Sequence, residues 1–142
     1  MKRLFFLFTL VLLFISCGEH EEVIPKVSFS VTIDLTDPRY SSQSTFIVKR
    51  GIDGARAGIN GVVVYRMSSD TYYAFDLMCP KEKQFHCLVD IKDDVTCECS
   101  HCGSQFLIAV PYGDVISGPS PWPLQGYKTQ VTGGGTILNI WN

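Results

Sequence analysis

From residue 27 onward, apolar and polar side chains alternate. In Val27-Ser28-Phe29-Ser30-Val31-Thr32-Ile33-Asp34-Leu35 every odd position is apolar and every even one polar, the spacing of a strand with one buried face. Residues 45–48, 62–65 and 71–77 are rich in β-branched and aromatic side chains and are expected to form further strands, with Met67-Ser68-Ser69-Asp70 as the turn between the last two. Residues 88–91 and 95–99 flank Lys92-Asp93-Asp94 and predict a hairpin, and residues 106–110, 115–116, 127–131 and 137–141 complete the set. Pro111-Tyr112-Gly113-Asp114 and Gly133-Gly134-Gly135 punctuate the gaps. No segment has the 3.6-residue period of an amphipathic helix. Many short strands with regular turns predict an all-β fold, a small antiparallel sandwich. The triple glycine has no Lys-Ser/Thr after it, so it reads as a turn and not a phosphate loop.

The first residues follow a different pattern. Lys2 and Arg3 precede an apolar run from Leu4 to Ile15 that only Thr9 interrupts. That is the length of a signal-peptide core and too short for a membrane-spanning helix. The run ends in Phe14-Ile15-Ser16-Cys17, which resembles a bacterial lipobox with phenylalanine in the usual leucine position. The resemblance implies a lipoprotein signal peptide over 1–16, a lipidated tether over 17–26 with acyl chains on Cys17, and one domain over 27–142. Acyl chains at one residue hold a protein at a membrane by burying methylenes. The following Gly18-Glu19-His20-Glu21-Glu22 is similar to the surface-export signal of some Bacteroides-like lipoproteins. It implies a cell-envelope location, membrane-anchored, at the outer membrane or cell surface. His20 reads as part of the tether.

Charge narrows the range of partners. The formal net charge is −2, and removal of Lys2 and Arg3 takes it to −4. No basic run is present, which argues against nucleic acid as a partner. No nucleophile elbow, H-E-x-x-H pair or nucleotide fingerprint occurs, so the residues offer no catalytic constellation.

The chemistry lies in the cysteines. Apart from Cys17 there are Cys79, Cys87, Cys97, Cys99 and Cys102, all between positions 79 and 102. Such clustering points to one local site and not to general stapling. Cys99-Ser100-His101-Cys102 is a C-x-x-C pair, a strong metal signal. Cys79, Cys87, Cys99 and Cys102 together would make a four-thiolate site suited to zinc or to a low-potential iron–sulfur centre, with His86 as the other candidate for the fourth position.

The order of these residues resembles a known family. Ala74-Phe75-Asp76-Leu77-Met78-Cys79-Pro80 enters one cysteine loop, and Cys99-Ser100-His101-Cys102-Gly103-Ser104-Gln105-Phe106 forms a second. Gly118-Pro119-Ser120-Pro121-Trp122-Pro123-Leu124 follows, with Tyr127 beyond. This succession is similar to the Rieske-type (2Fe-2S) domain: a C-x-H loop, a C-x-x-H-G-S loop, then a G-P-x-x-x-P-L segment covering the cluster. It spans residues 74–127 and implies a site subdomain over about 78–125. By this resemblance Cys79 and Cys99 are ligands, Ser104 hydrogen-bonds the cluster and Pro119 belongs to the covering segment; Trp122, in the same proline segment, is placed where it could cap the site. The two histidine positions fall on Lys81 and Cys102. A Rieske centre needs both histidines on one iron, so the ligand set departs from the family at its defining point.

Two functions remain open on this basis. One is an iron–sulfur (2Fe-2S) or single-metal module with altered ligands, passing electrons to a redox or envelope protein partner. The other is a cluster-free module, held by disulfides on the oxidising side of a membrane, that binds through its surface. Cys87–Cys97 or Cys87–Cys99 would bridge the predicted hairpin, and Cys79–Cys102 would bridge the two loops. A Rieske domain alone does not catalyse, so an enzyme is the least favoured reading.

Overall fold

The structure, a computed structural model, describes residues 23–142, so the expected signal peptide, Cys17 and His20 lie outside the described residues. The described chain is all-β, with ten strands in two antiparallel sheets. The strands are β1 (Ser30–Asp34), β2 (Thr45–Val48), β3 (Val62–Arg66), β4 (Tyr72–Asp76), β5 (Val89–Ile91), β6 (Thr96–Cys99), β7 (Gln105–Leu107), β8 (Asp114–Ser117), β9 (Gly126–Thr132) and β10 (Ile137–Trp141). Besides the strands, the described chain has one turn of helix that the sequence pattern did not predict, α1 (Pro38–Ser41), and a short 3-10 turn over Gly133–Gly135. Asp37 caps α1 by accepting the Arg39 N–H, and Pro38 opens it with a φ already suited to a helix. Among the described residues no helix is long and apolar enough to cross a membrane.

The larger sheet has the order β1-β10-β9-β4-β3-β2, the smaller β5-β6-β7-β8. In the larger sheet β4 meets β9 over only two pairs, Ala74 with Tyr127 and Phe75 with Gly126. Across this short joint the sheet curls, and its two halves share one core. Val31, Ile33, Leu138 and Ile140 from one half pack with Phe46, Val48, Val62, Val64, Tyr72 and Ala74 from the other. The Ile52 N–H donates to the Thr32 carbonyl and helps tie the edges together.

The middle strands are buried on both faces, which explains the unbroken Val62-Val63-Val64 run. Val62 and Val64 point into that first core, whereas Val63 points the other way with Phe75 and Leu77. On this second face lie Val89, Phe106, Ile108, Leu124 and the four buried cysteines Cys79, Cys87, Cys97 and Cys99. The smaller sheet therefore packs on the back of β3 and β4. The Thr45 hydroxyl, donating to the Asp94 carbonyl, adds a polar tie between the two.

One buried carboxylate fixes where β4 ends. Asp76 is fully buried. Its Oδ2 accepts the Ile59 N–H at 2.8 Å and the Tyr127 hydroxyl at 2.7 Å, and its Oδ1 accepts the Met78 N–H at 2.7 Å. Burial, followed by the charge and hydrogen bond of Asp76, pushes the Tyr127 phenol above its ordinary value. Replacing Asp76 by alanine strands three donors. Asp76→Ala is expected to lower the unfolding free energy by about 3 kcal/mol, measured by urea denaturation. A loss below about 0.5 kcal/mol, the scale of an ordinary surface change, would rule out a structural role for this carboxylate.

Candidate metal centre

Beyond Asp76 the chain continues straight into the first cysteine loop. Met78 bridges Leu88 in antiparallel fashion, with the Cys79 N–H donating to the Cys87 carbonyl at 2.9 Å and the Val89 N–H to the Leu77 carbonyl at 2.8 Å. Residues 80–86 are thereby a loop closed at its base. The second loop joins β6 to β7, closed by the Cys99 N–H on the Ser104 carbonyl at 2.9 Å. Because β5 pairs Val89 with Cys99, both loops leave the same end of the sheet. Their outer residues touch: the His86 and His101 rings lie edge to face at 6.4 Å.

The two loops are the same turn. The Cys79 carbonyl accepts the Lys83 N–H at 2.9 Å, and the Cys99 carbonyl accepts the Gly103 N–H at 2.8 Å, four residues on in each case. Each turn ends in the left-handed region, Lys83 at φ 51° and Gly103 at φ 72°. Glycine is suited to that conformation, but lysine is strained in it by roughly 1 kcal/mol. Lys83 is the only non-glycine residue at positive φ among the described residues. That strain is tolerated because both ends of its turn are held by the pairing of Cys79 with Cys87.

Three sulfurs converge from these turns. The Sγ atoms of Cys79, Cys99 and Cys102 all lie within 4.8 Å of one another, and Cys79 Sγ stands 3.6 Å from Cys102 Sγ. Cys79 and Cys99 are fully buried and Cys102 is half-buried. Three cysteines at this spacing could hold a metal ion. All five cysteines of the described chain are free thiols, and 3.6 Å is far from the roughly 2.05 Å of a disulfide.

The thiols differ in acidity. Burial pushes Cys79 up to about 12, although the Lys81 and Glu82 backbone N–H groups directed at its sulfur act the other way. Burial acts in the same sense on Cys102. There, hydrogen bonds from the Ser104 hydroxyl and backbone, and from Cys79 and Cys99, together outweigh it and hold the thiol below its ordinary value. Ser104 is built for this. Its Oγ lies 3.1 Å from Cys102 Sγ and accepts the Ser120 N–H at 2.9 Å. The hydroxyl proton is then left for the sulfur once it ionises.

Ser104 is fully buried beside Cys102, but the covering segment reaches it through Ser120, while Pro119 is exposed. Gly118 makes this approach possible: at φ 94°, a Cβ there would fall 2.5 Å from Ser104 Cα. Trp122 lies over the first loop, with Lys83 Nζ 6.0 Å from its ring centre. Lys81 pairs with Glu82 at 2.8 Å on the surface.

Neither residue expected to supply the fourth position joins the three sulfurs. His86 is exposed and meets His101 instead. Cys87 is buried, and its thiol faces the Gln84 side-chain oxygen at 4.0 Å. The bridge expected between Cys87 and Cys97 does not exist either. Cys97 stands opposite Ile91 in the hairpin, four residues beyond Cys87. That offset is about 13 Å along a strand, too far for a bond that needs Cα atoms within about 7 Å. Cys87 and Cys99 are likewise not opposed, because Cys99 faces Val89. Cys97 is a core residue against Phe106. Burial and then the Asp90 and Asp93 charges push it up to about 12.

No family model matches the chain, and no curated protein matches it. The site's own chemistry yields a direct expectation. In metal-free, reduced protein at neutral pH, iodoacetamide is expected to modify Cys102 first and Cys97 last, read by mass spectrometry over time. Equal rates at the two positions would contradict both their burial and the opposite directions of their acidities.

Proposed function

We propose that this chain is a divergent Rieske-type domain, carried on an envelope lipoprotein, whose two-loop site binds one thiophilic metal ion through Cys79, Cys99 and Cys102. One observation carries the reading: three thiol sulfurs from two separate loops lie within 4.8 Å of one another. Four ligands at about 2.3 Å from a tetrahedral ion are spaced about 3.8 Å apart, close to the 3.6 Å between Cys79 and Cys102.

A standard Rieske cluster does not fit these residues. Its histidine positions hold Lys81 and Cys102. A lysine ammonium has no free lone pair, and Lys81 is engaged with Glu82. Three sulfurs gathered on one point suit one ion better than two irons with paired ligands. Lys81 has a different use. The Glu82 hydrogen bond comes first among the influences that raise its pKa, and the Cys102 and Cys79 charges add to it. The lysine is thus near enough to offset negative charge on a thiolate site. Held by Cys79, Cys99 and Cys102, a zinc ion would tie the two loops together, and an iron ion would supply single-electron chemistry toward an envelope redox partner. Deep burial of Cys79 and Cys99 excludes water from two of the sulfurs, and the Ser104–Ser120 contact holds the covering segment on the third.

Metal analysis of the whole chain, purified anaerobically, tests the reading. One zinc or iron per chain without acid-labile sulfide is expected, lost in Cys99→Ser and kept in Lys81→Ala. Two irons with two sulfides would establish a cluster instead. A metal-free folded chain with a Cys79–Cys102 disulfide would leave a locked scaffold that works through its surface. The envelope reading has its own check. Cys17→Ser is expected to shift the protein from the membrane fraction to the soluble one, and an unchanged distribution would remove the lipid anchor.

A further inference from the structure

Three thiols leave a four-coordinate ion one ligand short, and the repeated turn indicates which residue completes the set. In the second loop the cysteine that opens the turn, Cys99, and the residue three places on, Cys102, both belong to the group of sulfurs. The first loop makes the same turn from Cys79, with the same closing hydrogen bond and the same left-handed final residue. Three places on from Cys79 is Glu82. A given position on a given turn aims its Cβ in a fixed direction, so Glu82 stands to Cys79 as Cys102 stands to Cys99.

We infer that Glu82 is the fourth ligand of the site, its carboxylate turning from Lys81 to the metal when an ion binds. This rests on the single-ion reading above and specifies its ligand set. Several features suit the role. The Glu82 side chain is only 16% exposed although it lies on a surface loop. Its present partner is easily given up, because the Lys81 ammonium is 37% exposed and such surface pairs contribute at most about 1 kcal/mol. Carboxylate oxygen is an established zinc ligand beside cysteine and histidine.

Cys87 is the rival for the position. Its carbonyl is committed to the Cys79 N–H and the neighbouring Val89 N–H to Leu77, so its backbone cannot shift toward the thiols. Its own thiol is turned toward Gln84 within the apolar cluster. The sequence pattern left the position open between Cys87 and His86. The turn geometry favours Glu82.

The test uses the whole chain loaded with zinc, and separately with cobalt, in the wild type and in Glu82→Gln, Glu82→Cys and Cys87→Ser. X-ray absorption at the zinc edge is expected to give three sulfurs and one oxygen in the wild type and four sulfurs in Glu82→Cys. Zinc affinity is expected to fall at least about tenfold in Glu82→Gln and to stay unchanged in Cys87→Ser. The cobalt visible spectrum should shift only in the Glu82 variants. Four sulfurs in the wild type with one lost in Cys87→Ser would overturn the assignment. So would three sulfurs and one oxygen with no response to Glu82→Gln, which would make the oxygen a water. A wild-type chain that binds neither metal would sink the single-ion reading itself, and this inference with it.

Discussion

The site depends on how one strand ends. β4 passes between two cores, and a buried negative charge in that setting is costly unless it is fully hydrogen-bonded. Asp76 meets the requirement with three donors from three parts of the chain: the turn before β3, the start of β9, and the residue just ahead of Cys79. The bond to Met78 sets the direction in which the chain leaves the strand, and the pairing with residues 87–89 carries that direction into the first cysteine loop. Each of these contacts is satisfied only when the others are in place, so they form or fail together.

The thiol cluster sits at the opposite end of the same logic. Three sulfurs close together in a buried setting cannot all be ionised without a compensating cation, and burial alone already pushes Cys79 up to about 12. The protein eases this unevenly. Cys102, at the surface end, receives the Ser104 hydroxyl and is held below its ordinary value, the opposite direction from Cys79. Ser104 is in turn positioned by Ser120, from a segment that reaches the loop only because Gly118 has no side chain. A metal ion would resolve the remaining charge at a stroke, since it lowers the pKa of all its thiol ligands at once.

Between these two points the second core does double service. Val63, Phe75 and Leu77 from the larger sheet pack against Phe106, Ile108 and the buried cysteines of the smaller one. The cysteines are thus part of the apolar interior as well as candidate ligands, which accounts for Cys97 and Cys87. A free cysteine packs as a small hydrophobe, and the strand register gives neither a partner for a bond.

Much of the fold was legible along the chain. Alternation at 27–35 marked β1 and the β-branched stretch at 62–65 marked β3, because strand periodicity and propensity are set locally along the backbone. The C-x-x-C pair also announced itself, since its two thiols are placed by one turn. Two things were not legible. Whether Cys87 meets Cys97 depends on the β5–β6 register, which is settled by packing across the sheet and not by spacing in the sequence. Nor did the residues between Cys79 and Cys87 reveal that they repeat the turn of the second loop, because one ends on lysine and the other on glycine. Sequence alone determined which residues are apolar, which carry metal-binding atoms, and which segments form strands. Only the tertiary structure decided which of the cysteines share a site, because that depends on long-range strand pairing that brings two loops to one edge.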